Sequence, residues 1–506
     1  DASWLRELDA VPAKLLFVLV FALFLCAALL LVRCLLARLS EKHLKRTALL
    51  CIFLLAAGQL LFLGLIHPQL RYDPLKVFDM AVEMLRTHTI SGTYETGYFA
   101  RYTNNYPLTI LTYWFLLLLS RLSVPESWFM PAVQLVNVGC ITLSIWLGYL
   151  IAKELKGRLF AVFYLVICVL CPLSYVWAGY FYTATCSMPC LMGILYLYLR
   201  LGKCRTGKSS ADSKESAGSE KPAGRRRIFL CALLGVVSIL GFKLRATAAI
   251  ALIAVALDAL LRFWRQKKQN GCSLSSALVL KAKTWLLPGA AFLLTAALTL
   301  GLFSAAVNRY VDFDYKNTSS FETKEEKTAA DLKVLKERIA EAGPLGLVSL
   351  AGRKLLNTWV DGTDSYLAEN SYARYSKVYD YLIGDKSGFL TLYSQAFRAL
   401  NMLAMGLCAL LAFVRLKRHK EYPPLFLIQL TVLGCMAFHL IWETNPLYSI
   451  SFTFLCLILL ADGISSLRES PAMILVLKKS WIGCAAGFVL LAALLFLGKK
   501  ELVDTP

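Results

Sequence analysis

The chain has 506 residues, a net charge of +21 and a hydrophobic fraction of 58%, with a mean hydropathy of +0.59. Those values exclude a soluble domain of this length. They also argue against a nucleic-acid binder, because Lys and Arg cluster in short loops between apolar runs, the pattern of topology signals facing anionic lipid headgroups.

About 20 apolar residues are needed to cross a ~30 Å hydrocarbon core. Runs of that kind predict spans at 13–37, 47–66, 128–152, 159–178, 185–201, 228–242, 246–262, 284–307, 396–415, 423–441, 447–466 and 480–497. Leu- and Ala-rich runs without period-2 alternation cannot build a barrel, so the fold class is an all-α polytopic membrane protein. Residues 15–32 are too long and too uniformly apolar for a cleavable signal and are expected as the heart of the first span. Placing the basic loops 38–46, 153–158, 202–227, 262–268 and 415–420 inside gives one consistent threading with about 12 crossings. In that threading 107–122 starts and ends outside. It is therefore expected as a re-entrant or interfacial helix, opened by Pro107.

Three parts follow. Residues 1–307 form a transmembrane module that includes a first outer loop, 67–106, and a Ser/Gly/Lys-rich cytoplasmic linker, 202–227. Residues 308–395 form a large extracytoplasmic region, with a charged helix at about 322–341. Residues 396–506 hold the C-terminal transmembrane helices. No internal repeat is visible, which weighs against an inverted-repeat transporter.

In chain order, the first polar cluster follows the second span: His67-Pro68-Gln69-Leu70-Arg71-Tyr72-Asp73-Pro74. An Asp just outside the hydrocarbon suits a general base acting on a hydroxyl. It would equally serve as the N-cap of a helix at 74–86. Next come Arg101, Tyr102, Asn104 and Asn105 before Pro107: phenol, amides and a guanidinium that suit sugar hydroxyls and phosphate oxygens, or else an aromatic belt with a turn. The 15 cysteines lie almost entirely in or beside apolar spans and read as small core residues; Cys186 and Cys190 are too isolated for a metal site. The five histidines are scattered, so no metal ligand set is expected.

The order of Asp73-Pro74 after an early span, an amphipathic helix and a Tyr/Asn-Asn/Pro segment resembles membrane glycosyltransferases of the GT-C fold, near the bacterial protein O-mannosyltransferase and aminoarabinose transferase group. Tyr182-Thr183-Ala184-Thr185 is similar to the family's Tyr-Thr-Asp-Thr, and Lys243 with Arg245-Ala246-Thr247 to its basic-residue-Pro-Thr segment. Lys354 with Thr358-Trp359-Val360-Asp361-Gly362-Thr363 resembles its Lys…Trp-x-Asp-Gly-Thr, and Trp442-Glu443 with Tyr448 its Trp-Glu…Arg-Tyr. The resemblance implies a multi-pass protein of a bacterial plasma membrane whose site faces outward. It implies inverting transfer of a sugar from a polyprenyl-phosphate donor to a glycan, lipid or protein acceptor, with Asp73 as base. Lys243, Arg245 and Arg101 are then candidates for the leaving phosphate, and Glu443 for orienting the acceptor or pairing with a basic residue. Asp361 is as readily a turn former as a site residue.

Two departures stand out. Ala184 occupies the place of a second acidic residue. Either this member does without it or the chain is an engineered inactive variant, and the intact Tyr182, Thr183 and Thr185 favour the second reading. Leu447 occupies a place that often holds Arg, which moves weight onto Lys243 and Arg245. No cofactor is expected; the alternative left open is a divalent cation held between Asp73 and a carboxylate restored at 184. The competing reading is a transporter or flippase of a lipid-linked glycan.

Overall fold

The computed structural model describes residues 11–94, 97–206, 223–270, 274–311, 313, 324–359, 370–372, 377–384, 386–416 and 423–469. The expected span 480–497, Asp361 and most of the linker 202–227 lie outside the described residues. Helices α1 (Val11–Leu36) and α2 (Glu41–Ile66) come first, followed by the three-residue strand β1 (Pro68–Leu70) and helix α3 (Tyr72–Thr87). Then follow α4 (Tyr106–Arg121), α5 (Phe129–Lys156), α6 (Arg158–Leu170), α7 (Thr183–Thr206), α8 (Ala223–Leu244), α9 (Ala249–Asn270) and α10 (Leu274–Tyr310). Helix α11 (Lys324–Trp359), strand β2 (Asn370–Tyr372), α12 (Gly388–Val414), α13 (Phe426–Ile441) and α14 (Thr453–Glu469) complete the described chain.

Among the described residues, nine helices are long and apolar enough to cross a membrane, and a bent pair makes a tenth. The molecule is an all-α polytopic membrane protein. Helix α14 is almost wholly buried at the centre, while α10 presents Leu286, Leu294 and Leu302 outward, as a lipid-facing helix must. The span expected at 159–178 is not one helix. It bends by 72° between Leu170 and Leu173. Pro172 is the cause: its ring pushes the preceding Cys171 into an extended conformation (φ −79°, ψ 117°), which ends α6.

Helix α4 has 16 residues, about 24 Å at 1.5 Å per residue, short of a full crossing. Its first residues, Tyr106 and Pro107, line a cavity at the same end of the bundle where Tyr310 closes α10. About two turns later its Trp114 donates to the Tyr310 hydroxyl at 3.1 Å, and the Tyr113 ring meets Tyr310 edge-on. These contacts tie the middle of α4 to the end of α10.

The charged helix is longer than expected, continuing from Lys324 to Trp359 across a break at Gly343, whose φ of 60° and ψ of 178° belong to glycine alone. One feature has no helical counterpart: β1 pairs antiparallel with β2, Pro68 opposite Tyr372 and Leu70 opposite Asn370. The opposite end of the bundle carries the basic loops and their ion pairs: Arg158 with Glu41, Lys156 with Asp462, and Glu154 with Lys203 and, at 2.9 Å, Arg200. Asp258, fully buried near that end, accepts from Arg262 at 2.6 Å and from the Tyr198 hydroxyl at 2.7 Å.

Candidate functional site

A cavity of about 1060 Å³ opens between the ends of α3, α4, α7, α8, α10 and α13 that lie away from the basic loops. Its wall includes Asp73 from the start of α3, Tyr102 and Asn104 from the turn before α4, and Tyr182 from the start of α7. Lys243 and Arg245 enter from the α8–α9 junction, and Trp442, Glu443 and Tyr448 from beyond α13. Nine sequence-predicted residues, drawn from segments hundreds of positions apart, thus converge on one volume.

Asp73 does not cap its helix. Helix α3 begins at Tyr72, with Arg71 at the cap position making no side-chain cap bond, so Asp73 sits in the first turn where the helix dipole favours a carboxylate. Its Oδ2 accepts from the Tyr182 hydroxyl at 3.1 Å. That hydroxyl also lies 3.1 Å from Oδ1 of the fully buried Asn105, whose Nδ2 donates to the Tyr98 hydroxyl at 2.7 Å. Burial, Tyr182 and the charge of Asp73 hold the Tyr98 phenol far above its ordinary range, and burial and Asp73 do the same for Tyr182. Both phenols stay protonated, and Tyr182 serves as a fixed donor to a half-buried carboxylate. Asn105 accordingly works from behind the wall, as a strut rather than a substrate contact.

The cationic wall is built differently. Lys243 stands in the last turn of α8, which ends at Leu244, and Arg245 turns extended (φ −156°, ψ 119°); both are half-buried at the cavity. Arg245 Nη1 donates to Thr183 Oγ1 at 3.3 Å, its guanidinium lies 5.3 Å from the centre of the Tyr448 ring, and its Nε is buried without a partner among the described residues. The Tyr448 hydroxyl in turn donates to Glu443 at 2.9 Å. Two cations on one side and a positioned carboxylate on the other suit a substrate that carries an anionic group next to a reacting hydroxyl.

Other expected residues take other places. Arg101 is exposed at the end of the short helix Tyr98–Arg101 and does not line the cavity. Lys354 donates to the carbonyls of Leu440 at 3.1 Å and Trp442 at 2.8 Å, so it closes the end of α13 and does not face the cavity. Trp359 is buried core. Ala184 is 1% exposed and absent from the wall; its carbonyl accepts from Ser451 at 2.9 Å and Ser187 at 3.2 Å. In this chain that position supplies packing and a backbone acceptor. Leu447 does line the cavity, an apolar contact where the resembled family often has a cation.

The wall also holds residues that sequence reasoning passed over. His439 is 2% exposed, stacks on Tyr448 (ring centres 5.4 Å apart), and has its Nδ1 3.3 Å from the Glu443 carbonyl. Because a carbonyl only accepts, Nδ1 carries the proton. Tyr72, Thr103, Ser304 and Asn308 line the cavity as well.

The chain matches a family described as conserved hypothetical integral membrane protein over residues 7–309. No curated protein matches it. Among solved structures it matches the oligosaccharyltransferase of Archaeoglobus fulgidus in the apo form, with 10% identity and a TM-score of 0.44, covering 90% of this chain and 54% of that one. It also matches the archaeal oligosaccharyltransferase AglB from the same organism in complex with an inhibitory peptide and a dolichol-phosphate, with 12% identity and a TM-score of 0.43, covering 90% and 55%. The chain spans little more than half the length of these structures.

Proposed function

The chain belongs to that family of integral membrane proteins, and we propose that its cavity is the active site of a GT-C type glycosyltransferase using a polyprenyl-phosphate sugar as donor. The observation that carries this reading is the single volume that brings Asp73 and Tyr182 together with Lys243, Arg245 and Glu443 at the end opposite the basic loops. By the positive-inside rule that end faces the extracytoplasmic side of a plasma membrane.

In this reading Asp73 takes the proton of an acceptor hydroxyl. The acceptor oxygen attacks the anomeric carbon from the face opposite the phosphate, and the carbon–oxygen bond to phosphate breaks with its electron pair left on the phosphate. The anomeric centre inverts. Lys243 and Arg245 stabilise the growing negative charge, which is where fixed cations lower a barrier most. Tyr182 holds Asp73 in place, and Glu443, oriented by Tyr448, stands ready to order a second hydroxyl. A flippase would need a path to the opposite end, whereas every lining residue lies at one end and the buried carboxylates at the other are paired.

The test is transfer by the full chain in lipid nanodiscs, supplied with a panel of radiolabelled polyprenyl-phosphate hexoses and pentoses. Asp73→Asn is expected to cut turnover by about 100-fold or more, the usual worth of a positioned base, while donor binding persists. Undiminished turnover in that variant removes Asp73 from the chemistry.

A further inference from the structure

The residue before the carboxylate is held in an unusual conformation. Tyr72 has a φ of +49°, in the left-handed region, where a bulky aromatic residue is a genuine outlier and strained. The strain achieves something visible: Tyr72 is 55% exposed, and it lines the cavity directly beside Asp73. The ring is fixed, because Arg71 lies over it at 4.8 Å from its centre and donates to its hydroxyl at 3.1 Å.

A second ring stands on the same wall. Tyr102 is 48% exposed and packs against Tyr98 with ring centres 4.9 Å apart. Tyr98 is the phenol bonded to Asn105, which shares the Tyr182 hydroxyl with Asp73. Both exposed rings are therefore mechanically joined to the carboxylate they flank. Thr103 and Asn104, exposed beside Tyr102, add hydroxyl and amide groups to the wall.

Resting on the proposed function, we infer that the acceptor is a carbohydrate whose sugar rings stack on Tyr72 and Tyr102 and present a hydroxyl to Asp73. A pyranose has an apolar face of C–H groups, slightly positive, and a rim of hydroxyls. An aromatic face is slightly negative and matches the first, while Thr103 and Asn104 match the second. A peptide acceptor calls for backbone partners. The strand nearest the site, β1, is already paired with β2, and the Pro68 carbonyl is taken by Gln134 at 2.7 Å. A belt of interfacial tyrosines would need neither a strained backbone nor a place in a polar cavity.

Binding can be read without any donor, which separates this inference from the assignment of the base. Saturation-transfer NMR on the full chain in nanodiscs would use a panel of gluco-, manno-, galacto- and arabino-oligosaccharides against a Ser/Thr-rich peptide of equal length. At least one oligosaccharide is expected to bind. Tyr72→Ala and Tyr102→Ala should each weaken it about tenfold, the worth of one stacking contact, and Tyr72→Phe should recover most of what Tyr72→Ala loses. Asp73→Asn should bind the sugar while losing transfer. Tyr72→Gly guards against misfolding, since glycine adopts this φ freely; it should melt no lower than the parent and still lose the sugar. Failure of the whole panel to bind, binding indifferent to Tyr72→Ala and Tyr102→Ala, or transfer to the peptide overturns the inference. Full transfer by Asp73→Asn with ring-dependent binding intact would instead unseat only the base.

Discussion

Tyr182 shows how much one hydroxyl can organise. It is 9% exposed, and its oxygen is within bonding distance of both Asp73 and Asn105. Removing it would leave the carboxylate without its protein donor from α7. Tyr182→Phe is expected to lower kcat/KM about five- to tenfold, in keeping with about 1 kcal/mol for one such bond, with little change in melting temperature. Steady-state kinetics beside a thermal melt check it; a lower melting temperature with full activity would make Tyr182 a packing residue. At this scale the sequence was informative where a polar group stood at the end of an apolar run, as with Asp73, Lys243, Arg245 and Glu443. It was silent on Tyr72, because nothing in the letters around it marks a left-handed tyrosine. His439 was passed over for a different reason: a lone His in an apolar helix reads as interface or core, and only the stack on Tyr448 reveals its place in the wall.

Among the elements, the end of α13 bears most directly on the site, because Trp442, Glu443 and Tyr448 all follow from it. Lys354 of α11 satisfies two carbonyls there, groups that a helix end otherwise leaves open. Lys354→Met keeps the length of the side chain and removes the donors. It is expected to cost about 1 kcal/mol of stability and to raise the KM for acceptor more than it lowers kcat, since the segment bearing Glu443 loses its anchor. Unchanged KM alongside a lowered melting temperature would confine Lys354 to stability. The order Lys354…Trp359 was legible as a motif, and the family resemblance that marked it implied contact with substrate. The folded chain uses it one layer back. The span at 159–178 shows the converse limit: hydropathy carries straight through Pro172, and only backbone sterics break the helix.

For the whole molecule, the alternation of basic loops with apolar runs was enough to mark most of the long apolar helices found among the described residues. It could not foresee the β1–β2 pairing, because three residues meeting three others across about 300 positions leave no periodicity to read. The threading makes a direct prediction. With native thiols blocked, Thr93→Cys should react with a membrane-impermeant maleimide in intact cells, and Lys42→Cys only after permeabilisation. The reverse pattern would turn the cavity toward the cytoplasm and end the case for an outward-facing transferase.

The short antiparallel pairing has a consequence for how the site can be built and altered. Residues 68–70 run straight into Tyr72 and Asp73, so the hydrogen bonds from 370–372 set the height and tilt of the carboxylate from a stretch that lies more than 60 positions beyond the family match. Insertions or deletions around that distant stretch would therefore retune the reacting groups without altering a single residue that touches substrate.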